Sequence, residues 1–403
     1  LNKVHHTIDE SGRGSFYLFD CLSELAPDWC SDRMLGNFFS LTCPYLYDHA
    51  AIAYFSILRN RHSFHATRPI ASTTQIFVDA YRHNDRVYIH PTKVQHRHSA
   101  TMHMLHAWEG ADFLPLTESC VITEVLKDVP WSNQDSASFL SGYWSKAFVE
   151  AETIQSDIDR GLDCREDADR YFSKLLRMLI SHDERVQRLA EECLTLRDLL
   201  DIRKRMIGTG LIGGKAVGML LARAILKKAG PRWHDVIEAH DSFFVGSDVF
   251  YTYLVENGCW WMAQESKPDD GSYHRMDTAR RRILAGEFPD YIQKQFADML
   301  EYFGESPIIV RSSSLLEDNF GSAFAGKYES VFCANQGGAH KRLDDFLCAV
   351  RTVYASTMSE EALVYREQHG LANADEQMAL LIQRVSGARY GRHFYPQGAG
   401  VGF

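Results

Sequence analysis

A glycine-rich segment that ends in a lysine is the first group of residues that could do chemistry. It reads Gly-Thr-Gly-Leu-Ile-Gly-Gly-Lys from Gly208 to Lys215, and a helix is predicted to follow from about Ala216 to Lys228. Glycines before a helix N-terminus let backbone N–H groups face an anion, and Lys215 could reach a phosphate oxygen. The spacing differs from a Walker A loop, which requires GxxxxGK[ST]. The motif alone therefore fits both a simple glycine turn and a phosphate-binding loop.

Arg311 and the three serines that follow it form the second such group. They come directly after Ile308-Ile309-Val310, a β-branched run that predicts a buried strand. An arginine can hold two phosphate oxygens at once, and serines add hydroxyl and backbone donors. A structural ion pair with Glu317 or Asp318 is the alternative role for Arg311. Neither role is favoured by these residues in isolation.

The segment from Pro307 to Phe332 resembles the VRSSxxxED…FAGxxET region of phosphoenolpyruvate synthases and pyruvate phosphate dikinases. Other correspondences occur in the order of that family. Gly213-Gly214-Lys215 is similar to its GGK turn, Leu381 to Val385 to its VQxMV strand, and Ala399 to Phe403 to its SGVxFT segment. The resemblance covers the chain from about Ile202 to its last residue.

This resemblance implies an ATP-grasp-like fold, in which two α+β lobes enclose ATP. Lys215 and Arg311 match the family residues that contact the ATP phosphates, and Ser312 lies beside Arg311. We therefore expect Lys215 and Arg311 to be the catalytic residues.

The other matched residues concern the surroundings of the nucleotide. Gly326 and Ser330 match the glycine and threonine of FAGxxET, on a loop over the nucleotide, and Ser330 keeps the hydroxyl group. Gln383 matches the glutamine on the adenine-side strand. The loop from Asn319 to Lys327 is expected to close over the phosphates, with Phe324 as its apolar anchor.

The implied activity is ATP-dependent phosphoryl transfer of the dikinase kind, to a histidine carrier or to a small acceptor such as pyruvate. ATP and Mg²⁺ are the expected cofactors. The family's acidic metal ligands lie beyond SGVxFT, so the metal ligands of this chain are unknown, and the 403 residues are expected to bind ATP without turning it over. A non-catalytic ATP-sensing regulatory module is the alternative.

The predicted elements divide the chain into three segments. Residues 1–135 form a small α+β domain of unknown role, and residues 136–204 form a helical connector with amphipathic stripes. Residues 205–403 form the α+β nucleotide-binding domain, which is expected to be incomplete at its C-terminal end. The predicted elements of this last segment are strands at Ser242–Val245, Ile308–Val310 and Met378–Val385 and helices near Ser247–Glu256, Met276–Leu284, Pro289–Phe303 and Leu343–His369.

The first segment has a clear local signal at two β-rich runs. Thr74–Tyr81 and Arg86–His90 flank His83-Asn84-Asp85, whose Asn and Asp tolerate a left-handed turn, so a hairpin is predicted. Pro91 is expected to end the second strand. A further strand is predicted at Cys120–Val125.

Composition limits the class of protein and its partners. The net charge of -10 over 403 residues and the pI near 6.0 give no basic field that would draw nucleic acid. No apolar run approaches the roughly 20 residues of a membrane helix. Nine scattered cysteines without a CxxC pair indicate a reducing, cytoplasmic setting. The chain starts at Leu1 rather than Met, so the remaining domains of a longer protein are expected.

Histidines 96, 98, 103 and 106 cluster, and the last two have a spacing that one helix face could present. No cysteine lies nearby and no HExxH motif occurs. Ordinary surface or core histidines are therefore favoured over a metal site.

Overall fold

The computed structural model describes residues 1–25, 28–29, 31–59, 61–127, 142–238, 241–265, 273–316, 326–371 and 374–398. The chain forms two compact units. The first comprises residues 1–26 and 32–143, and the second comprises residues 27–31 and 144–403.

The first unit combines short helices with small sheets. Its described helices are α1 (Asn2–Ser11), α2 (Leu22–Leu25), α3 (Arg33–Asp48), α4 (Phe64–Thr73) and α5 (Ser119–Leu126). Its described strands are β1 (Phe16–Phe19), β2 (Ile52–Phe55), β3 (Ile76–His83), β4 (Arg86–Val94), β5 (His106–Glu109) and β6 (Asp112–Pro115). Strands β1 and β2 pair in parallel, and β3 to β6 form an antiparallel sheet in chain order.

The predicted hairpin is confirmed, but its second strand is longer than expected. Asn84 and Asp85 have φ values of 48° and 60°, and His83 pairs with Arg86 across the turn. The prediction that Pro91 ends the strand is wrong, because β4 continues through Pro91 to Val94. Strand β5 pairs with residues 87–89 of β4 and does not extend to Pro91. In this sheet Pro91 therefore pairs with β3 alone, and the backbone N–H that proline lacks is not needed for a bond to a second strand.

The strand predicted at Cys120–Val125 is also wrong, because these residues belong to α5. The apolar side chains of α5 pack against a cluster formed by Tyr88, Leu105 and Ala107. A short apolar run fits a strand or a buried helix equally well, and here tertiary packing selects the helix.

The second unit holds most of the helices. Its described helices are α6 (Tyr143–Asp159), α7 (Arg165–Leu179), α8 (Glu184–Cys193), α9 (Leu196–Lys204), α10 (Gly214–Ala229), α11 (Arg232–Val236), α12 (Ser247–Glu256), α13 (Trp260–Glu265), α14 (Tyr273–Ala285), α15 (Asp290–Phe303), α16 (Ala339–Ala355) and α17 (Glu360–Gln368). Its described strands are β7 (Met206–Ile207), β8 (Ser242–Val245), β9 (Ile308–Ser314), β10 (Ser330–Cys333), β11 (Met378–Arg384), β12 (Ala388–Tyr390) and β13 (His393–Tyr395). The stretch 143–204, which was predicted to be helical, consists of four helices, with breaks at 160–164, 180–183 and 194–195.

A five-stranded sheet with the order β10-β9-β11-β8-β7 forms the centre of the second unit. Its neighbours run antiparallel except β7 and β8, which are parallel. Residues 378–382 of β11 are fully buried. Helix α10 contacts β9 and β11, whereas α12 packs on β11 and α16 on β9 and β10. This arrangement places the start of α10 against the middle of the sheet.

Arg311 to Ser314 differ from the prediction that polar residues follow the strand, because they are part of β9. Strand β11 pairs with β9 along its whole length, from Ile308 to Ser314. Ser312, Ser313 and Ser314 are completely buried.

The structure divides the chain into two compact units, whereas the sequence predicted three segments, 1–135, 136–204 and 205–403. The three segments stay a prediction of domain organisation. The mixture of helix and sheet in the second unit agrees with the expected α+β class. Across the described ranges, helices that combine the length and the apolar character needed to span a bilayer are absent.

Candidate functional site

The glycine turn before α10 depends on backbone conformations that favour glycine. Gly208, Gly210 and Gly213 have φ values of 80°, 84° and 81°. A Cβ atom at Gly213 would also lie 1.5 Å from the backbone oxygen of Ser313 in β9. The absence of a side chain therefore lets the turn touch the sheet directly.

The first turn of α10 is fastened to β9 by side-chain hydrogen bonds. The Ser313 hydroxyl donates to the backbone oxygen of Ile212 at 2.9 Å and accepts from the backbone N–H of Ala216 at 3.1 Å. The Lys215 ammonium donates to the Ser312 hydroxyl at 2.8 Å. The sheet thus fixes the positive N-terminal end of the helix and the lysine that follows it.

Arg311 and Gln383 also meet, from neighbouring strands. Arg311 Nη1 donates to Gln383 Oε1 at 3.2 Å. The amide nitrogen of Gln383 lies 3.4 Å from the Ser242 hydroxyl and 3.2 Å from the Met219 sulfur, so the glutamine also connects to β8 and α10. In the part of the chain that the structure describes, no carboxylate lies within ion-pair distance of Arg311.

The remaining predicted residues lie at the edge of this arrangement. Ser330 is the direct cross-strand partner of Arg311 and is exposed. Gly326 is exposed, with a φ of 78°, four residues before Ser330. The predicted ion-pair partners Glu317 and Asp318, the anchor Phe324 and the Ala399–Phe403 segment lie outside the described residues.

A buried aspartate that the sequence did not single out supports the glycine turn. Asp248, in the first turn of α12, is 1% exposed. Its carboxylate accepts the backbone N–H of Thr209 at 2.7 Å, and the Thr209 hydroxyl lies 2.7 Å from the other oxygen. The Ser31 hydroxyl also donates to this carboxylate, at 3.4 Å. The sequence feature that could have pointed to Asp248 is an acidic residue at the start of the helix after β8. That feature is equally typical of a residue that only interacts with the helix dipole.

A second buried carboxyl, Glu376, lies just before β11. The Ser314 hydroxyl donates to its Oε1 at 2.5 Å, and the Tyr328 hydroxyl donates to its Oε2. Burial raises the pKa of Glu376 above its ordinary value, although these two hydrogen bonds and the nearby Arg366 charge act in the opposite direction. Burial also raises the pKa of the adjacent Asp375, which accepts a hydrogen bond from Tyr251 at 2.5 Å.

The ligands of the expected Mg²⁺ ion are not identified among the described residues. Groups of three or more His, Cys, Asp or Glu side chains that could hold a metal ion do not occur among them. The predicted histidine cluster bonds instead to backbone oxygens, His103 to Pro91 and His106 to Met104.

The site places Lys215 and the N-terminus of α10 against strand β9, which also carries Arg311. Lys215 and Arg311 are both partly exposed, and Lys215 bonds to Ser312, the residue that follows Arg311 in β9. A lysine supplies a point charge and an arginine a fork with several donors, and both groups bind phosphate. The arrangement is chemically suited to a polyphosphate.

Comparison with known proteins agrees with that chemistry. Residues 209–403 match the family described as pyruvate phosphate dikinase, AMP/ATP-binding domain. The resemblance inferred from the motifs is therefore confirmed for these residues.

Individual relatives carry related names. The chain is 24% identical over 194 residues to a phosphoenolpyruvate synthase of Aeropyrum pernix, covering 44% of this chain and 22% of the relative. It is 28% identical over 125 residues to a rifampicin phosphotransferase of Bacillus subtilis, covering 31% of this chain and 13% of the relative. A phosphoenolpyruvate synthase of Aquifex aeolicus is 29% identical over 112 residues, which cover 26% of this chain and 12% of the relative. The matches thus span less than a quarter of each relative's length.

Proposed function

We propose that the domain within residues 205–403 is the ATP-grasp-like, MgATP-binding part of a phosphotransferase, with Lys215 and Arg311 as its phosphate-binding residues. The observation that supports this most is the contact between Lys215 and Ser312, which joins the turn that carries the lysine to the strand that carries Arg311. Ser312 belongs to the same proposed site. Gly326 and Ser330 are proposed to lie over the nucleotide, and Gln383 on its adenine side.

The proposed chemical role of the two cations is electrostatic. Transfer of a γ-phosphoryl group spreads negative charge over its oxygens, and positive groups held in fixed positions stabilise that charge. Lys215 is held by Ser312 and Arg311 by Gln383, so each cation has a side-chain partner that fixes its position. Mg²⁺ would supply further charge neutralisation, and its ligands remain a prediction.

The proposed reaction is dikinase-like phosphoryl transfer to a histidine carrier or to a small acceptor such as pyruvate. Its support is that two matched relatives are phosphoenolpyruvate synthases and a third is a rifampicin phosphotransferase. These names agree on phosphoryl transfer and differ in the acceptor. The names therefore support phosphoryl transfer but do not distinguish between the possible acceptors.

Two measurements on full-length protein test the proposal. Calorimetric titration with MgATP should show binding to the wild type and a large loss for the double substitution Lys215→Ala with Arg311→Ala. Incubation with γ-labelled ATP, with and without pyruvate, should then show turnover. Binding without any turnover would favour the ATP-sensing module, and absence of binding would refute the nucleotide site itself.

A further inference from the structure

Glu376 connects three segments of the second unit through one buried carboxyl group. Its two oxygens accept hydrogen bonds from Ser314, the last residue of β9, and from Tyr328, two residues before β10. Glu376 itself leads into β11. The ends of three adjacent strands of the sheet therefore meet at a single side chain.

All three groups are removed from solvent, so the geometry of the contact is strongly specified. The exposed fractions of Ser314, Tyr328 and Glu376 are 0%, 5% and 8%. The Ser314 hydroxyl also accepts the backbone N–H of Leu316 at 3.0 Å, which fixes the turn after β9. Buried polar groups are costly without partners, so loss of any one hydroxyl leaves an acceptor of Glu376 unsatisfied.

The same three segments contain the residues proposed to bind nucleotide. Strand β9 contains Arg311 and Ser312, Tyr328 lies between Gly326 and Ser330, and β11 contains Gln383. Ser314 is three residues from Arg311, or roughly 10 Å along a strand, so the carboxyl does not reach the phosphates. Its influence on a ligand must pass through the strands that it joins.

We propose that Glu376 is a positioning residue for nucleotide binding, which acts by holding Ser314 and Tyr328 and thereby the segments that present Arg311 and Ser330. This role rests on the proposed nucleotide site. It assigns no contact between Glu376 and the ligand. A purely structural role for the carboxyl would contribute to stability without changing affinity in the folded protein.

The neighbouring Asp375 provides a matched control. It accepts a hydrogen bond from Tyr251 at 2.5 Å, as Glu376 does from Tyr328. Tyr251 belongs to α12, which carries none of the residues proposed to bind nucleotide. Removal of either tyrosine hydroxyl therefore disturbs one buried carboxyl, but only Tyr328 lies in a segment of the proposed site.

The test compares Tyr328→Phe, Tyr251→Phe and Glu376→Gln in full-length protein. The measurements are thermal unfolding without ligand and calorimetric titration with MgATP at a temperature where every variant is folded. We expect Tyr328→Phe and Glu376→Gln to weaken affinity about three- to tenfold. Tyr251→Phe should lower the unfolding temperature while leaving affinity within about twofold.

The pH dependence of affinity separates positioning from packing. Ionised Glu376 accepts from both hydroxyls, so wild-type affinity should fall, relative to that of Glu376→Gln, as pH decreases through the carboxyl pKa. The positioning role would be overturned if both tyrosine variants had lower unfolding temperatures but unchanged MgATP affinity, and if the affinities of the wild type and Glu376→Gln changed with pH in parallel. That result would leave the nucleotide site intact. Failure of the wild type to bind MgATP would overturn the proposed function and this role together.

Discussion

The side-chain nitrogen of Lys215 lies 2.8 Å from the hydroxyl oxygen of Ser312, a residue 97 positions later in the chain. This contact joins the glycine turn to strand β9. The preceding residue, Arg311, is in turn held by Gln383 of β11. Each of the two cations therefore has a side-chain hydrogen bond that helps to fix its position.

Lys215 and Arg311 should contribute to nucleotide affinity in different ways. Lys215→Ala removes one charged donor and should weaken MgATP binding about tenfold or more. Arg311→Lys keeps the charge but removes the fork that holds two oxygens, and it should weaken binding about tenfold. Calorimetry measures both effects. Lys228→Ala is the control on the same helix, because Lys228 bonds to the backbone oxygen of Glu192. Near-wild-type affinity for both site variants would remove these residues from the site.

Gly213 should tolerate no side chain, in contrast to another glycine of the same helix. Gly213→Ala combines a φ of 81° with a Cβ only 1.5 Å from the Ser313 backbone oxygen, so it should destabilise the second unit by about 3 kcal/mol or more. At Gly218 a Cβ meets nothing within 4 Å, and Gly218→Ala should stabilise α10 by about 0.5–1 kcal/mol. Thermal unfolding tests the pair. Equal stability of the two variants would contradict the close approach of turn and strand.

Much of the second unit could be predicted from local patterns. The helix after the glycine turn, the helix Ser247–Glu256 and the strand Ser242–Val245 occur where their periodicity placed them. Each has an unambiguous local signal, such as lysines in the last turn of α10 or β-branched and aromatic residues in a short run. Ordered motifs also identified the nucleotide-binding family.

The errors arose where tertiary packing outweighs local preference. Cys120–Val125 has strand-like residues, but contact with Tyr88 and Leu105 makes it a helix. Arg311 to Ser314 read as polar residues after a strand, but pairing with β11 continues the strand through them. Asp248 and Glu376 were missed because their partners lie far away in the sequence, and a lone acidic residue has no local pattern.

Asp248 should prove necessary for the shape of the glycine turn. Asp248→Ala leaves the backbone N–H of Thr209 without its carboxylate acceptor and should cost about 1–3 kcal/mol of unfolding free energy. Urea denaturation measures this loss. Asp345→Ala is the control, because Asp345 forms a half-exposed ion pair with Lys341 and should change stability by less than about 0.5 kcal/mol. A similarly small effect for both variants would show that the turn holds its shape without Asp248.

The stability of the second unit should depend on pH through Asp375 and Glu376. Burial raises the pKa of both carboxyls above their ordinary values of 3.8 and 4.5. The folded state therefore retains protons that the unfolded state has released, so the free energy of unfolding falls as pH rises from below the ordinary values through the raised ones.

Glu376→Gln cannot ionise, so its stability relative to the wild type should improve over the same range. Urea denaturation of both proteins, in a pH series that starts below 3.8 and extends to neutrality, measures the difference. Gly218→Ala keeps both carboxyls and their hydrogen-bond partners and serves as the control, with the slope of the wild type retained. A constant stability difference between Glu376→Gln and the wild type across the series would mean that the pKa of Glu376 is the same in the folded and unfolded states.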